Sequence, residues 1–273
     1  MTVPVGMPLN QLMRSTERNE PAATGRPETP SVLGRALAVL GAFDESYSVL
    51  GLADIARRAD LPKSTVHRIV AEMCRERLLD RDSEGCYRLG LRLFELGELV
   101  PQHRTLSAAA LPIMEDLREA TRQRIHLAVL EGVDVVYVEI LGSTGTALSS
   151  RTGGRLPAHA TGLGKALLAY SPAAVVKARI DAGLPRLTPR TIATPGGLMR
   201  ELRDVRSEGT AYDREESHVG ISCVAAPVFG SDRKVRAALS VTGPTPRIDP
   251  GRLGVAVRTA ALSLSRQLRA SGL

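Results

Sequence analysis

A chain of 273 residues is long enough for two domains of ordinary size, and 43% hydrophobic with 24% charged residues is the balance of a soluble globular protein. No apolar run approaches bilayer-crossing length, and the first twenty residues lack the basic and apolar regions of a secretion signal, so the expected compartment is the cytoplasm. The net charge of +7 is uneven. Residues 1–102 hold 13 Lys+Arg against 14 Asp+Glu and residues 103–273 hold 23 against 15, so any nucleic-acid reading of the N-terminal part must rest on local placement.

Residues 1–30 mix Pro, Thr, Glu and Gly without periodicity and read as a disordered arm. Ser31 then stands where a helix cap is needed. Val32, Leu33, Ala36, Leu37, Leu40 and Phe43 follow at helical spacing, which predicts a helix over 32–43 with one buried stripe. In "LADIARRADLPKSTVHRIVAEM" (52–73), Leu52, Ile55, Ala56 and Ala59 fit one short amphipathic helix. Pro62 disfavours helical geometry before it and suits the first position of a new helix, so the stretch predicts two helices with a corner. The second helix, about 62–77, buries Val66, Ile69, Val70 and Met73 and turns Lys63, Ser64, Thr65, His67, Arg68 and Arg75 outward.

"LLDRDSEGCYRLG" (78–90) reads as strand, turn and strand, and three helices followed by a hairpin make a winged helix-turn-helix over 31–90. A linker helix over 91–103 precedes the rest, 104–273. There the pattern predicts a helix at 106–123, hairpins at 125–141 and 221–243, and helices at 161–170, 195–208 and 249–270. That alternation implies an α+β domain with an antiparallel sheet.

The major groove of B-DNA admits one helix, and a helix-turn-helix places the N-terminal residues of its second helix nearest the base edges. Lys63, Ser64, Thr65, His67 and Arg68 are the donors expected there. Arg57, Arg58, Arg75 and Arg88 are placed to meet phosphates. The partner implied is double-stranded DNA.

The sequence is similar to the IclR family of bacterial transcriptional regulators over about residues 31–270. The residues that carry the resemblance are "LADIARRADLPKSTVHRIV", "GGRLPAHATGLGKALLA" (153–169), "DREESHVGISCVAAPV" (213–228) and "ALSVTGPTPRI" (238–248). It departs at the corner, where the family often has Gly and this chain has Ala59-Asp60. The resemblance implies a C-terminal GAF-like α/β effector-binding and oligomerisation domain. It also implies dimers or dimers of dimers on pseudo-palindromic operators, and control by a small carboxylate or aromatic metabolite. Repression is the commoner family role. The family's effector pocket maps by position onto Leu156, Gly162, Leu163, Asp213, Cys223, Ser240 and Thr242. There the glycine-rich turn would offer backbone N–H groups to a carboxylate, and Ser240 and Thr242 would donate from one strand.

Other chemistry is weaker. "TGLGKA" lacks the first Gly and the Ser/Thr of a phosphate-binding loop, since position 159 is His and 166 is Ala. Asp213, His218 and Cys223 would suit a hydrolase with an N-terminal docking module, but Cys223 lies in an apolar strand, and no catalytic set is assigned. Cys74, Cys86 and Cys223 form no CxxC pair, and His126, His159, His218 and Asp213 match no zinc spacing, so neither metal nor cofactor is expected. Arg151 and Arg155 are either a solvated face or an attraction for an anionic effector.

Overall fold

A computed structural model describes residues 31–44, 46–142 and 150–272, with 101–104 as backbone only. The expected arm, 1–30, lies outside the described residues. The chain divides between Pro101 and Gln102 into two compact units.

The first unit opens with α1 (Val32–Leu40), whose first turn is capped by the Ser31 hydroxyl accepting from the Gly34 amide at 3.0 Å. The expected buried stripe on α1 is a correction. Val39 is its only buried side chain, while Val32, Leu33 and Leu37 are 72%, 68% and 57% exposed. Helical spacing reveals an apolar face but cannot say what covers it, and the small core of this unit reaches one side of the helix.

That core is completed by Ile55, Ala56 and Ala59 of α2 (Leu52–Ala59) and by Val66, Val70 and Met73 of α3 (Lys63–Arg75). The corner between them is Asp60, in the left-handed conformation at φ 57°, where its N–H meets the Ala56 and Arg57 carbonyls. Asp tolerates this conformation better than most residues, so the corner forms without the family's Gly. Pro62 sits one position earlier than expected, capping α3 from extended geometry rather than starting it.

The wing is β1 (Leu79–Arg81) paired antiparallel with β2 (Tyr87–Leu89). Asp82 shapes its turn by accepting the Glu84 and Cys86 amides at 3.0 and 2.8 Å. Leu50 adds a third edge by exchanging two backbone hydrogen bonds with Tyr87. The helix after the wing, α4 (Leu91–Gly97), buries none of its residues.

The second unit is built on a six-stranded antiparallel sheet of order β5-β4-β3-β8-β7-β6. Its strands are β3 (Arg124–Glu131), β4 (Asp134–Leu141), β5 (Arg155–Pro157), β6 (Ala211–Arg214), β7 (Ile221–Phe229) and β8 (Val235–Pro244). Helix α5 (Pro101–Thr121) starts earlier than the expected 106. It shares one sheet face with the last helix, here called the terminal helix (Pro250–Ala270). The other face carries α6 (Gly162–Ala169), α7 (Ala173–Asp181) and α8 (Pro195–Glu208). β5, β6 and α7 have no counterpart in the sequence reading. The two edge strands are three and four residues long, too short for an alternating pattern to declare itself.

Strand alternation divides β7 between the two cores. Val224, Ala226 and Val228 join α5 and the terminal helix, while Ala225 joins the α6 side. Cys223 points to that same side.

Candidate functional site

Two places concentrate polar groups that packing alone does not require. The first is the outer face of α3. Lys63, Ser64, His67 and Arg68 are exposed and Thr65 is half-buried. The side chains of Lys63, His67 and Arg68 have no hydrogen bond or ion pair among the described residues. Their donors are therefore free for an external acceptor. Around them, Arg57 pairs with Asp54 at 2.7 Å, Arg75 with Glu72 at 2.7 Å and Arg88 with Asp80 at 3.9 Å. All three guanidiniums are exposed, so these pairs hold weakly and leave donors spare.

Arg58 stands differently from the phosphate contact expected of it. Its guanidinium binds the Asp44 carboxylate, donates to the Ala42 carbonyl at 2.6 Å and lies 4.2 Å over the Tyr47 ring. Only 12% of the side chain is exposed. Arg58 ties α2 to the segment after α1 and belongs to the fold.

The second place lies between the sheet and α6. Asp213, Cys223 and Thr242 are directly opposed on β6, β7 and β8, and His126 faces Ser240 across β3 and β8. The first turn of α6 presses onto this row. A Cβ on Gly162 would come within 2.7 Å of the Cys223 sulfur, and one on Gly164 within 2.1 Å of the Ala158 carbonyl oxygen. The glycines of "TGLGKA" thus let a helix approach a strand, and Thr161 caps that helix by accepting the Gly164 amide at 2.9 Å.

The row lines a cavity of about 30 Å³, which Leu156, Leu163 and Thr161 also bound. Of the residues placed there by position, Leu156, Leu163, Asp213, Cys223 and Thr242 line it. Gly162 instead packs on Cys223, and Ser240 is fully buried behind Thr242, 3.4 Å from its hydroxyl. Arg155 donates to the Glu131 carbonyl at 3.2 Å and is not among the lining residues.

The structure adds residues that motif reading missed as a pocket: His126, Tyr137, Ser150, Ser217, His218 and Ile221. His126 bridges Thr242 at 3.2 Å and Ser150 at 3.4 Å, and meets the Tyr137 ring edge-on. Burial, with Arg124 nearby, lowers its pKa to about 3, so it is a neutral relay between hydroxyls. A polar residue in the apolar run of β3 was the one available signal.

Asp213 is 3% exposed and already engaged. One oxygen accepts the Glu216 and Ser217 amides at 2.6 and 3.3 Å, and the other accepts the Ser217 hydroxyl at 2.5 Å. Burial nonetheless raises its pKa, more than these bonds lower it. Behind the loop, fully buried Lys165 binds Glu216 at 2.6 Å and Glu201 at 2.9 Å. Thr188 and Thr191 donate to the Glu215 and Glu216 carbonyls at 2.6 and 2.7 Å. Burial pushes the Cys223 thiol up to about 12, the opposite of an activated nucleophile. Among the described residues no cluster of His, Cys, Asp and Glu could hold a metal ion, and no helix is long and apolar enough to cross a membrane.

Family models match both units: an IclR helix-turn-helix domain over residues 32–83 and the bacterial transcriptional regulator IclR C-terminal domain over 99–266. The chain belongs to the IclR family of bacterial transcriptional regulators. It is 36% identical over 240 residues to the HTH-type transcriptional regulator XynR of Escherichia coli, covering 86% of this chain and 95% of that one. It is 33% identical over 241 residues to the transcriptional repressor IclR of the same organism, covering 86% and 88%. Among solved structures, an IclR homologue from Microbacterium hydrocarbonoxydans, complexed with 4-hydroxybenzoate, superposes with a TM-score of 0.81. That match is at 34% identity and covers 88% of this chain and 100% of that one. As an IclR-family member the chain is a DNA-binding protein of transcription regulation, and α3 is the second helix of its helix-turn-helix.

Proposed function

We propose that this protein is a sequence-specific repressor whose operator affinity is set by a small organic-acid or aromatic metabolite bound between the sheet and α6. The observation that carries the DNA half is the free donor set Lys63, His67 and Arg68 on the exposed face of α3. The effector half rests on the cavity that Asp213, Thr242 and His126 line together with Leu156, Leu163 and Tyr137, and on a structural neighbour solved with a small aromatic acid. Ligand can switch such a protein only by binding its operator-competent and incompetent states with different affinity.

The protein acts as a dimer in this reading, with one α3 in each of two successive major grooves. Val32, Leu33 and Leu37 of α1 and Leu91 and Phe94 of α4, all more than half exposed, supply apolar surface for pairing of the N-terminal units. A hydrolase reading has less support, since Cys223 is held as a buried neutral thiol.

Fluorescence anisotropy on the DNA upstream of its own gene tests this, across a salt series and with a panel of small acids. Tight binding that weakens with salt and shifts with one acid is the expected result. Binding no tighter than to random DNA, there and in a genome-wide selection of bound fragments, would overturn it. Leu37→Glu with Phe94→Glu should convert the dimer to monomer by light scattering and weaken operator binding.

A further inference from the structure

A second cavity, of about 190 Å³, lies at the β6 edge of the sheet. About 150 Å³ is enough for a benzene ring. Strand alternation sets this cavity on the sheet face that carries the terminal helix. Tyr212 and Arg214 of β6 and Ser222 of β7 turn to that face, whereas Asp213 and Cys223, which border both cavities, send their side chains toward the first. Ile248 and Pro250, around the start of the terminal helix, add apolar surface. Arg190 joins from the turn 188–191. Its amide donates to the Thr188 hydroxyl at 3.1 Å, and Thr188 and Thr191 tie the turn to the Glu215 and Glu216 carbonyls.

The two cationic side chains that line this cavity are poorly matched by their neighbours. Arg190 is 3.6 Å from Glu215 and Arg214 is 3.9 Å from Glu201, both too long for a hydrogen bond. The two carboxylates have closer partners. Glu201 accepts from Lys165 at 2.9 Å, and Glu215 accepts the Gly220 amide and the Thr245 hydroxyl. The guanidinium donors therefore remain open to a ligand. Arg214 lies 4.7 Å over the Tyr212 ring, which restrains its plane. The side chains of Arg190 and Arg214 are 63% and 61% exposed, so a ligand reaches them from solvent.

We propose that this cavity is a second ligand site, for a small metabolite with an oxyanion head, either a carboxylate or a phosphate monoester. The head takes N–H donors from Arg190 and Arg214, and an apolar body packs on Ile248 and Pro250. A guanidinium fork matches either head bidentately, and two forks beside an apolar surface fix orientation as well as charge. The site stands whether or not the first cavity holds an effector, since neither arginine lines that cavity.

Calorimetry on the full-length protein tests the proposal, with phenyl phosphate, benzoate and neutral benzyl alcohol as probes. At least one anion should bind about tenfold or more tighter than benzyl alcohol, and its binding should weaken with salt. Tighter phenyl phosphate would assign a phosphate monoester, and tighter benzoate a carboxylate. Arg190→Gln combined with Arg214→Gln should weaken a component of that binding about tenfold or more at an unchanged melting temperature. If the double variant melts lower, Arg190→Gln alone should weaken the same component about threefold or more. Thr242→Val, which alters the first cavity, should leave the component in place. Anion binding no tighter than that of benzyl alcohol, binding unmoved by the arginine substitutions, or loss of all anion binding in Thr242→Val would overturn the proposal.

Discussion

The two units treat their polar side chains in opposite ways. On α3, Lys63, His67 and Arg68 are exposed and have no side-chain partner among the described residues. In the second unit, Asp213, His126 and Thr242 are buried around a cavity of about 30 Å³, with Asp213 bonded to half-buried Ser217 and His126 to Thr242, while buried Lys165 binds Glu216 behind them. The difference is one of commitment: the α3 donors are open to an external acceptor, whereas the buried row has already spent most of its hydrogen bonds on its own neighbours.

The comparison breaks hardest at Lys165. Lys165→Met leaves Glu216 and Glu201 without their buried partner and should cost about 3–5 kcal/mol of stability, read by urea denaturation of the full chain. Adding Glu216→Gln should recover a large part of that loss. A change below about 1 kcal/mol in the single variant would show that the pocket loop does not depend on the pair.

Next comes Arg68→Ala. It should weaken operator binding by about 1–3 kcal/mol with no shift in melting temperature, because the side chain touches nothing it would leave unpaired. Equal loss on random DNA would move Arg68 from base reading to phosphate contact.

The pH response separates the units further. The folded pKa of His126 is about 3 against an ordinary 6.5, so the unfolded chain takes up a proton first as pH falls. Its contribution is complete above 6.5 and is lost as pH falls toward 3, by about 1.4 kcal/mol per pH unit in that window. Asp213 and Glu216, both raised by burial, work in the opposite direction. The difference between wild type and His126→Asn isolates the histidine, and parallel stability curves between pH 7 and 4.5 would refute its buried neutral state. The smallest effect is expected of Arg57→Ala. It should weaken binding to every DNA by a similar factor and lower the slope of log affinity against log salt by about one.

Much of the first unit was legible because its signals are local. The proline at 62, the apolar spacing of Ile55, Val66 and Val70, and the turn residues 82–85 each act within a few positions. The α1 stripe misled because periodicity marks an apolar face without naming its cover. Arg58 misled because its partners, Asp44 and Tyr47, lie 14 and 11 positions away on a segment with no readable pattern. In the second unit the long strands and helices followed from alternation and spacing. Resemblance supplied five of the cavity's residues, and of the others His126, Tyr137 and Ser150 lie outside every segment that carries it.

The sequence by itself determined that two helices meet at a corner with basic and hydroxyl residues on the outer face of the second, since backbone chemistry at Asp60 and Pro62 is local. It also determined that a glycine-rich turn would start a helix at 161. Only the tertiary structure decided that His126, Tyr137, Ser150, Asp213 and Thr242 share one cavity. The reason is sheet order. β8 lies between β3 and β7, so His126 and Asp213 meet around Thr242 only after strands more than a hundred residues apart have paired.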